Sequence, residues 1–300
     1  MDVARFWFSC ISVNSFGLPD FKGSTFRGKF GHVLKRTICV MRHRDCARCA
    51  LRQQCAYPYL FETTNERQQT VARPFVIEPP LTRKRFYLAG EPLDFGLVLI
   101  GRAISYLPYF VYCFERMGEE GIGQDRGRYQ LNSVAAVDAA WRKVPVYDGE
   151  SKRLDSEFPT LALDAFKARL LPQVTLHFYT PTDIRTQGQR ADQLDFTTLL
   201  KAILRRYHSL RYFHGDGQKE RFEIDWDAAG KVEIVHQELE GRRFKRYSNR
   251  QRRPVALAGF TGRITYRGDL GQFYPWIKIG ELLHVGKNTV FGMGGYRVLD

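Results

Sequence analysis

Two hydrophobic periods alternate along the chain. Residues 3–13, VARFWFSCISV, are dense in β-branched and aromatic side chains and read as a first strand. After the turn-rich NSFGLPDFKG, the segment STFRGKFGHVLKRTICV places Phe26, Phe30, Val33, Leu34 and Ile38 at three- and four-residue spacing. That is the stripe of a helix, which Ser24 or Thr25 can cap. Gly28 and Gly31 weaken it by roughly 1 kcal/mol each relative to alanine, which points to a close approach of another backbone. A proline-dotted stretch follows, with Pro74, Pro79 and Pro80, and reads as extended or turning. Residues 93–101 read as a buried strand and 103–117 as an apolar helix that Pro108 kinks or restarts. Residues 118–137 read as a glycine-punctuated loop and a returning strand.

After a polar connector at about 140–172, carrying Pro145, Pro159 and Pro172, the plan repeats. QVTLHFYT is a strand. Residues 194–213 are a helix with Leu199, Leu200, Ile203, Leu204, Tyr207 and Leu210 on its apolar stripe and Lys201, Arg205 and Arg211 solvated. Residues 231–268 read as two strands around a basic turn, 272–286 as a second helix and 288–300 as the last strand. The expected fold is α+β: tandem ferredoxin-like (RRM-like) domains in which helices cover one face of an antiparallel sheet. Residues 1–140 form the first, with a cysteine-rich insertion at 39–55. Residues 141–300 form the second, with a glycine-rich loop at 286–295.

Charge narrows the partner. Forty-six Lys and Arg against thirty-two Asp and Glu give a net charge of +14, which points to a polyanion, with nucleic acid ahead of a membrane surface. With 44% hydrophobic residues the chain is globular, and no run of eighteen apolar residues predicts a membrane span. No signal peptide is evident, so a cytoplasmic location is expected.

Cys39, Cys46, Cys49 and Cys55 form C-x6-C-x2-C-x5-C. In a cytosolic chain such clustering favours metal over disulfides, and a C-x2-C turn suits tetrahedral zinc in a closed, structural site. His43 can replace Cys39 as the fourth ligand. A loop of unligated thiols and an iron–sulfur cluster stay open as alternatives. No cofactor is expected for catalysis.

Two further stretches bear on the polyanion. Gly241 to Arg253, GRRFKRYSNRQRR, contains Arg242, Arg243, Lys245, Arg246, Arg250 and Arg252 and no acid, and interleaves Phe244 and Tyr247, which can stack on bases. Near the end, Gly286, Gly292, Gly294 and Gly295 crowd around Lys287, and glycine at that density lets a bulky group come close. The spacing from Gly280 to Gly286 and the Asn288 after Lys287 exclude a P-loop.

The loop GKNTVFGMGGYRV resembles the C-terminal signature of the RAMP superfamily, and more closely the endoribonucleases that process CRISPR precursor RNA. RGKFGHVLKR, the cysteine cluster leading into YPYLFE, RPFVIEPP, LDFGLVLIGRAISYLPYFVYCFERMGEEGIGQDRGRY and SNRQRRPVALAGFTGRITYRGDL are similar to the same family, in the same order. The resemblance implies two ferredoxin-like domains that bind CRISPR repeat RNA, as precursor and as guide, with effector-complex subunits as further partners. It also implies metal-independent cleavage in which a 2′-hydroxyl attacks its own phosphodiester, leaving a 2′,3′-cyclic phosphate and a 5′-hydroxyl. Relatives in the superfamily that bind guide RNA without cutting it supply the alternative.

The family has no fixed catalytic residue, but its first helix commonly carries a histidine, which suits either proton role. That favours His32, with Arg27 or Lys35 stabilising the phosphorane and Lys287, Gly292 and Gly294 holding the strand across a cleft between the domains. His284 is the second candidate. His177 reads as a core residue, and His208, His214 and His236 as surface or turn residues.

Overall fold

The structure is a computed structural model that describes residues 1–299 apart from 42–44, 65–70, 187–188, 191–193, 219–221 and 249–252. It divides into two compact units, Met1–Leu161 with Phe213–Gly215, and Ala162–Tyr212 with Asp216–Asp300.

In the first unit, β1 (Asp2–Ser12) alternates buried Phe6, Phe8 and Cys10 with partly exposed Arg5, Trp7 and Ser9, the period of a half-buried strand. It pairs antiparallel with β3 (Phe95–Ile100) on one side and β4 (Tyr129–Val137) on the other, and β2 (Phe75–Glu78) pairs with β3. Taken in chain order, the second strand pairs the third, the third the first and the first the fourth, which is the ferredoxin-like arrangement. Residues within the expected connector extend this sheet: β5 (Lys143–Asp148) pairs with β4, and β6 (Arg153–Leu154) with β5.

Helix α1 (Gly23–Ile38) buries Phe26, Phe30, Val33 and Leu34. Its N-cap is Lys22 rather than Ser24 or Thr25, and no side chain caps the helix. Lys22 is fully buried, and its ammonium donates to the Thr82 carbonyl at 2.8 Å. The anticipated backbone contact at the glycines is also different. A Cβ on Gly31 would meet the ring of Phe61 at 2.5 Å, whereas one on Gly28 would meet nothing within 4 Å. Phe61 belongs to α2 (Ala56–Phe61), a short helix at the start of a stretch expected to be extended or turning, where Pro58 is tolerated in the first turn. Helix α3 (Leu107–Glu120) follows a 3₁₀ turn at Gly101–Tyr106, with Pro108 in its first turn, so the proline restarts the helix rather than kinking it.

The second unit repeats the topology with β7 (Gln173–Thr182), α4 (Phe196–His214), β8 (Glu233–Ser248), β9 (Arg253–Arg267), α5 (Tyr274–Leu283) and β10 (Tyr296–Leu299). β8 pairs β9, β9 pairs β7 and β7 pairs β10, all antiparallel. The expected stripe of α4 is buried from Leu199 to Leu210, and Phe178, Phe196, Tyr266, Phe273 and Tyr296 complete its core. The last strand is shorter than anticipated, because Thr289–Phe291 forms a 3₁₀ turn. Among the described residues no helix is long and apolar enough to cross a membrane.

Phe30 sits at the centre of the first unit's core, with ring centroids 4.6 Å from Phe110, 4.9 Å from Phe114, 5.7 Å from Phe61 and 6.1 Å from Phe75. Phe30→Ala is expected to destabilise this unit by about 3–5 kcal/mol, read from urea denaturation followed by circular dichroism. A loss below about 1 kcal/mol would mean that the cluster does not hold the helix.

Candidate functional site

The buried stripe of α1 leaves His32 exposed on the other side of the helix. Residues three and four positions away are its neighbours on the helix surface, so Lys29, Lys35 and Arg36 flank the imidazole. Lys29 and Arg36 both pair with Glu120 at the end of α3, Lys29 at 2.9 Å. Partial burial opposes ionisation of Glu120, but the two cations hold its carboxyl below the ordinary glutamate value. Gly28, one turn before His32, is exposed and has open space where a side chain would stand. An extended polar backbone can therefore approach the imidazole from that end.

Of the two cations anticipated beside His32, Lys35 shares its side of the helix. Its ammonium lies 5.2 Å from the Tyr57 ring. Arg27 is five residues back, and its guanidinium lies 4.5 Å from the Phe61 ring. Both contacts come from α2. Sequence reasoning missed Lys29 and Arg36, although their spacing from His32 was readable.

His284 is 1% exposed. It ends α5 with a φ of 60°, and its Nδ1 lies 3.0 Å from the Met293 carbonyl oxygen. The loop after it uses its glycines to fold on itself. Gly292 and Gly294 are buried with φ of 82° and 78°, and a Cβ on Gly294 would lie 1.8 Å from the Val285 carbonyl oxygen. Their amides are already engaged, Gly292 donating to Thr289 at 2.8 Å and Gly294 to Pro181 at 2.9 Å. The bulky group that these glycines admit is the protein's own backbone. Lys287, by contrast, is exposed, with its amide donating to the Asp183 carbonyl at 2.9 Å.

The basic stretch read as a turn is mostly paired strand. Arg242, Arg243, Lys245 and Arg246 lie on β8 opposite Gly259, Ala258, Ala256 and Val255. Arg250 and Arg252 lie outside the described residues. Arg243 is exposed, and Arg242 pairs with Glu240 at 2.6 Å.

Two histidines exchange their expected places. His214 is fully buried in the first unit, its Nε2 2.8 Å from the Ala72 carbonyl oxygen. His177 is half-buried on the second sheet and stands directly opposite Arg263 on β9 and Arg297 on β10. Opposite residues share a face, so Arg263 and Arg297 flank His177 in a row across three strands. An alternating strand hides one side only, which the apolar neighbours in QVTLHFYT obscured.

Cys46 is buried in a 3₁₀ turn, and Cys39, Cys49 and Cys55 are half-buried free thiols. Among the described residues no three or more His, Cys, Asp or Glu side chains are grouped so as to hold a metal, and His43 lies outside them.

Residues 1–159 match the family described as AF_1859_N, N-terminal domain, and residues 176–296 match the CRISPR-associated endoribonuclease Cas6 family. A relative from Archaeoglobus fulgidus, described as an uncharacterized protein, is 27% identical over 297 residues, 94% of this chain and 92% of that one. The product complex of Thermus thermophilus Cas6 superposes with a TM-score of 0.60 at 16% identity, covering 99% of both chains. A second Cas6 product complex gives 0.56 at 16% identity over 100% of both chains. The structural likeness is one of fold.

Burial, with Arg263 and Arg297 beside it, lowers the His177 pKa from its ordinary 6.5. The folded chain therefore takes up this proton less readily than the unfolded chain. Its contribution to stability falls as pH drops from about 6.5 toward the folded-state pKa. An NMR titration should place His177 below 6.5, and Arg263→Gln should move it back up. A wild-type midpoint at or above 6.5 would contradict the arrangement.

Proposed function

Through residues 1–159 the chain belongs to the AF_1859_N family, and we propose that the whole is a CRISPR-associated endoribonuclease of the RAMP type that cuts CRISPR repeat RNA without a metal. The observation that carries the reading is His32: an exposed imidazole flanked by Lys29, Lys35 and Arg36, with open space at Gly28.

In the proposed reaction the 2′-oxygen of the scissile nucleotide attacks the adjacent phosphorus as the bond to the 5′-oxygen breaks. The 2′-proton leaves to a base and the departing 5′-oxygen gains a proton. The products are a 2′,3′-cyclic phosphate and a 5′-hydroxyl. His32 serves in one of the two proton transfers. Lys35 and its cationic neighbours stabilise the extra negative charge on the phosphorane. His284 is set aside because it is buried against Met293 and Gly295. The basic strand from Arg242 to Arg246, together with Arg250, Arg252 and Lys287, grips phosphates, while Gly292 and Gly294 keep the loop that presents Lys287 in shape.

His32→Ala should slow cleavage of repeat RNA by about 10²–10⁴-fold while leaving affinity nearly intact. Cutting by the wild type should survive EDTA. A wild-type rate in His32→Ala would remove the histidine from the mechanism. Tight binding by the wild type without any cut would instead favour a non-catalytic RNA-binding subunit.

Neutralising Arg242, Arg243, Lys245 and Arg246 together should weaken RNA binding and flatten its dependence on salt. An unchanged salt slope would place the RNA elsewhere.

A further inference from the structure

Helix α2 has a second side that the reaction does not use. Tyr57 and Phe61, four residues apart, stack at 5.3 Å on the side that meets Lys35 and Arg27. Tyr59 lies on the other side and lines a cavity of about 930 Å³ in the first unit, together with Arg102, Tyr106, Gln53, Gln54 and Asp155. That volume falls in the usual range for small-ligand sites. The Tyr59 and Tyr106 ring centroids are 5.5 Å apart, and the Arg102 guanidinium lies 5.2 Å from the Tyr59 ring. The Tyr59 hydroxyl is buried beside the Arg102 guanidinium, and burial pushes its pKa up to about 12. Tyr109, 45% exposed, continues the aromatic line 6.0 Å from Tyr106, out onto the surface of α3.

Charge separates the possible ligands. A free phosphate would want more than one cation, but Arg102 shares the cavity wall with Asp2 and Asp155. Aromatic faces, a guanidinium, glutamine amides and carboxylates together suit a planar heterocycle, whose faces stack and whose amino and ring N–H edges donate. Every base has a π-face, so a row of tyrosines accepts a single strand.

We propose that this cavity takes one unpaired nucleoside of the bound RNA, its base against Tyr59 and Tyr106 and beside Arg102. The inference rests on the RNA-binding reading above and adds a site on the far side of the helix that holds Arg27 and Lys35. The contact with α2 ties recognition of an unpaired nucleotide to the position of those two cations.

The test is a binding cycle with repeat RNA carrying an abasic residue at each unpaired position in turn, against wild type, Tyr106→Ala and Arg102→Gln. Circular dichroism checks that each variant is folded. One abasic position should weaken binding to the wild type by about 5- to 150-fold, the loss of one stacked base, and should cost Tyr106→Ala nothing further. Arg102→Gln, on the rim, should show the same insensitivity in part. The salt slope of Tyr106→Ala should match that of wild type, since no charge is removed. Equal affinities for every RNA in wild type and both variants would overturn the cavity while leaving the RNA-binding reading standing. If the wild type binds none of these RNAs, both readings fail together.

Discussion

The aromatic packing beneath α1 decides which side of that helix meets solvent. Four rings surround Phe30, and each residue along a helix turns the face by about 100°. A slip of one residue would expose Phe30 and move His32 toward the core. Large apolar side chains are each worth roughly 1.5–3 kcal/mol when buried, so Phe26, Phe30, Val33 and Leu34 together hold the register against that slip. His32 contributes nothing to the packing and is positioned by it. The same constraint orders α2, because Gly31 leaves room for Phe61, and α2 then presents its rings to Arg27 and Lys35.

The second unit solves a different problem with the same topology. Its glycine-rich loop packs back on its own strand and helix end, with the Gly294 amide on Pro181 and the Gly294 carbonyl accepting from Val285 at 2.9 Å. Backbone groups engaged in this way fix the shape of the loop that carries the exposed Lys287. The density of glycine measures how tightly the chain turns there.

The fold was legible because strand alternation and helical stripes are long and strongly apolar: β1, α1, α4 and both ferredoxin-like orders follow from them. Where local signals compete with tertiary contacts, the reading slipped. The first helix begins at a buried lysine whose ammonium finds a distant carbonyl at Thr82, a partner no spacing could show. Residues 56–61 form a helix despite Pro58 because its first turn has no use for the missing N–H. At the site, His32 stood out as a histidine on the polar side of a stripe, and Lys29 and Arg36 could have been read with it. Their bridge through Glu120, and the row of Arg263, His177 and Arg297, depend on pairings between segments far apart in the chain.

In the proposed reaction the RNA supplies its own nucleophile and the protein supplies proton transfer and positive charge. Replacing the 2′-hydroxyl of the scissile nucleotide alone by hydrogen tests this most directly. The account predicts that the single 2′-deoxy repeat RNA binds about as tightly as the unmodified RNA and is not cut at that position, with or without added divalent cations. Cleavage there at the unmodified rate would mean that water or another external nucleophile attacks, and would contradict it.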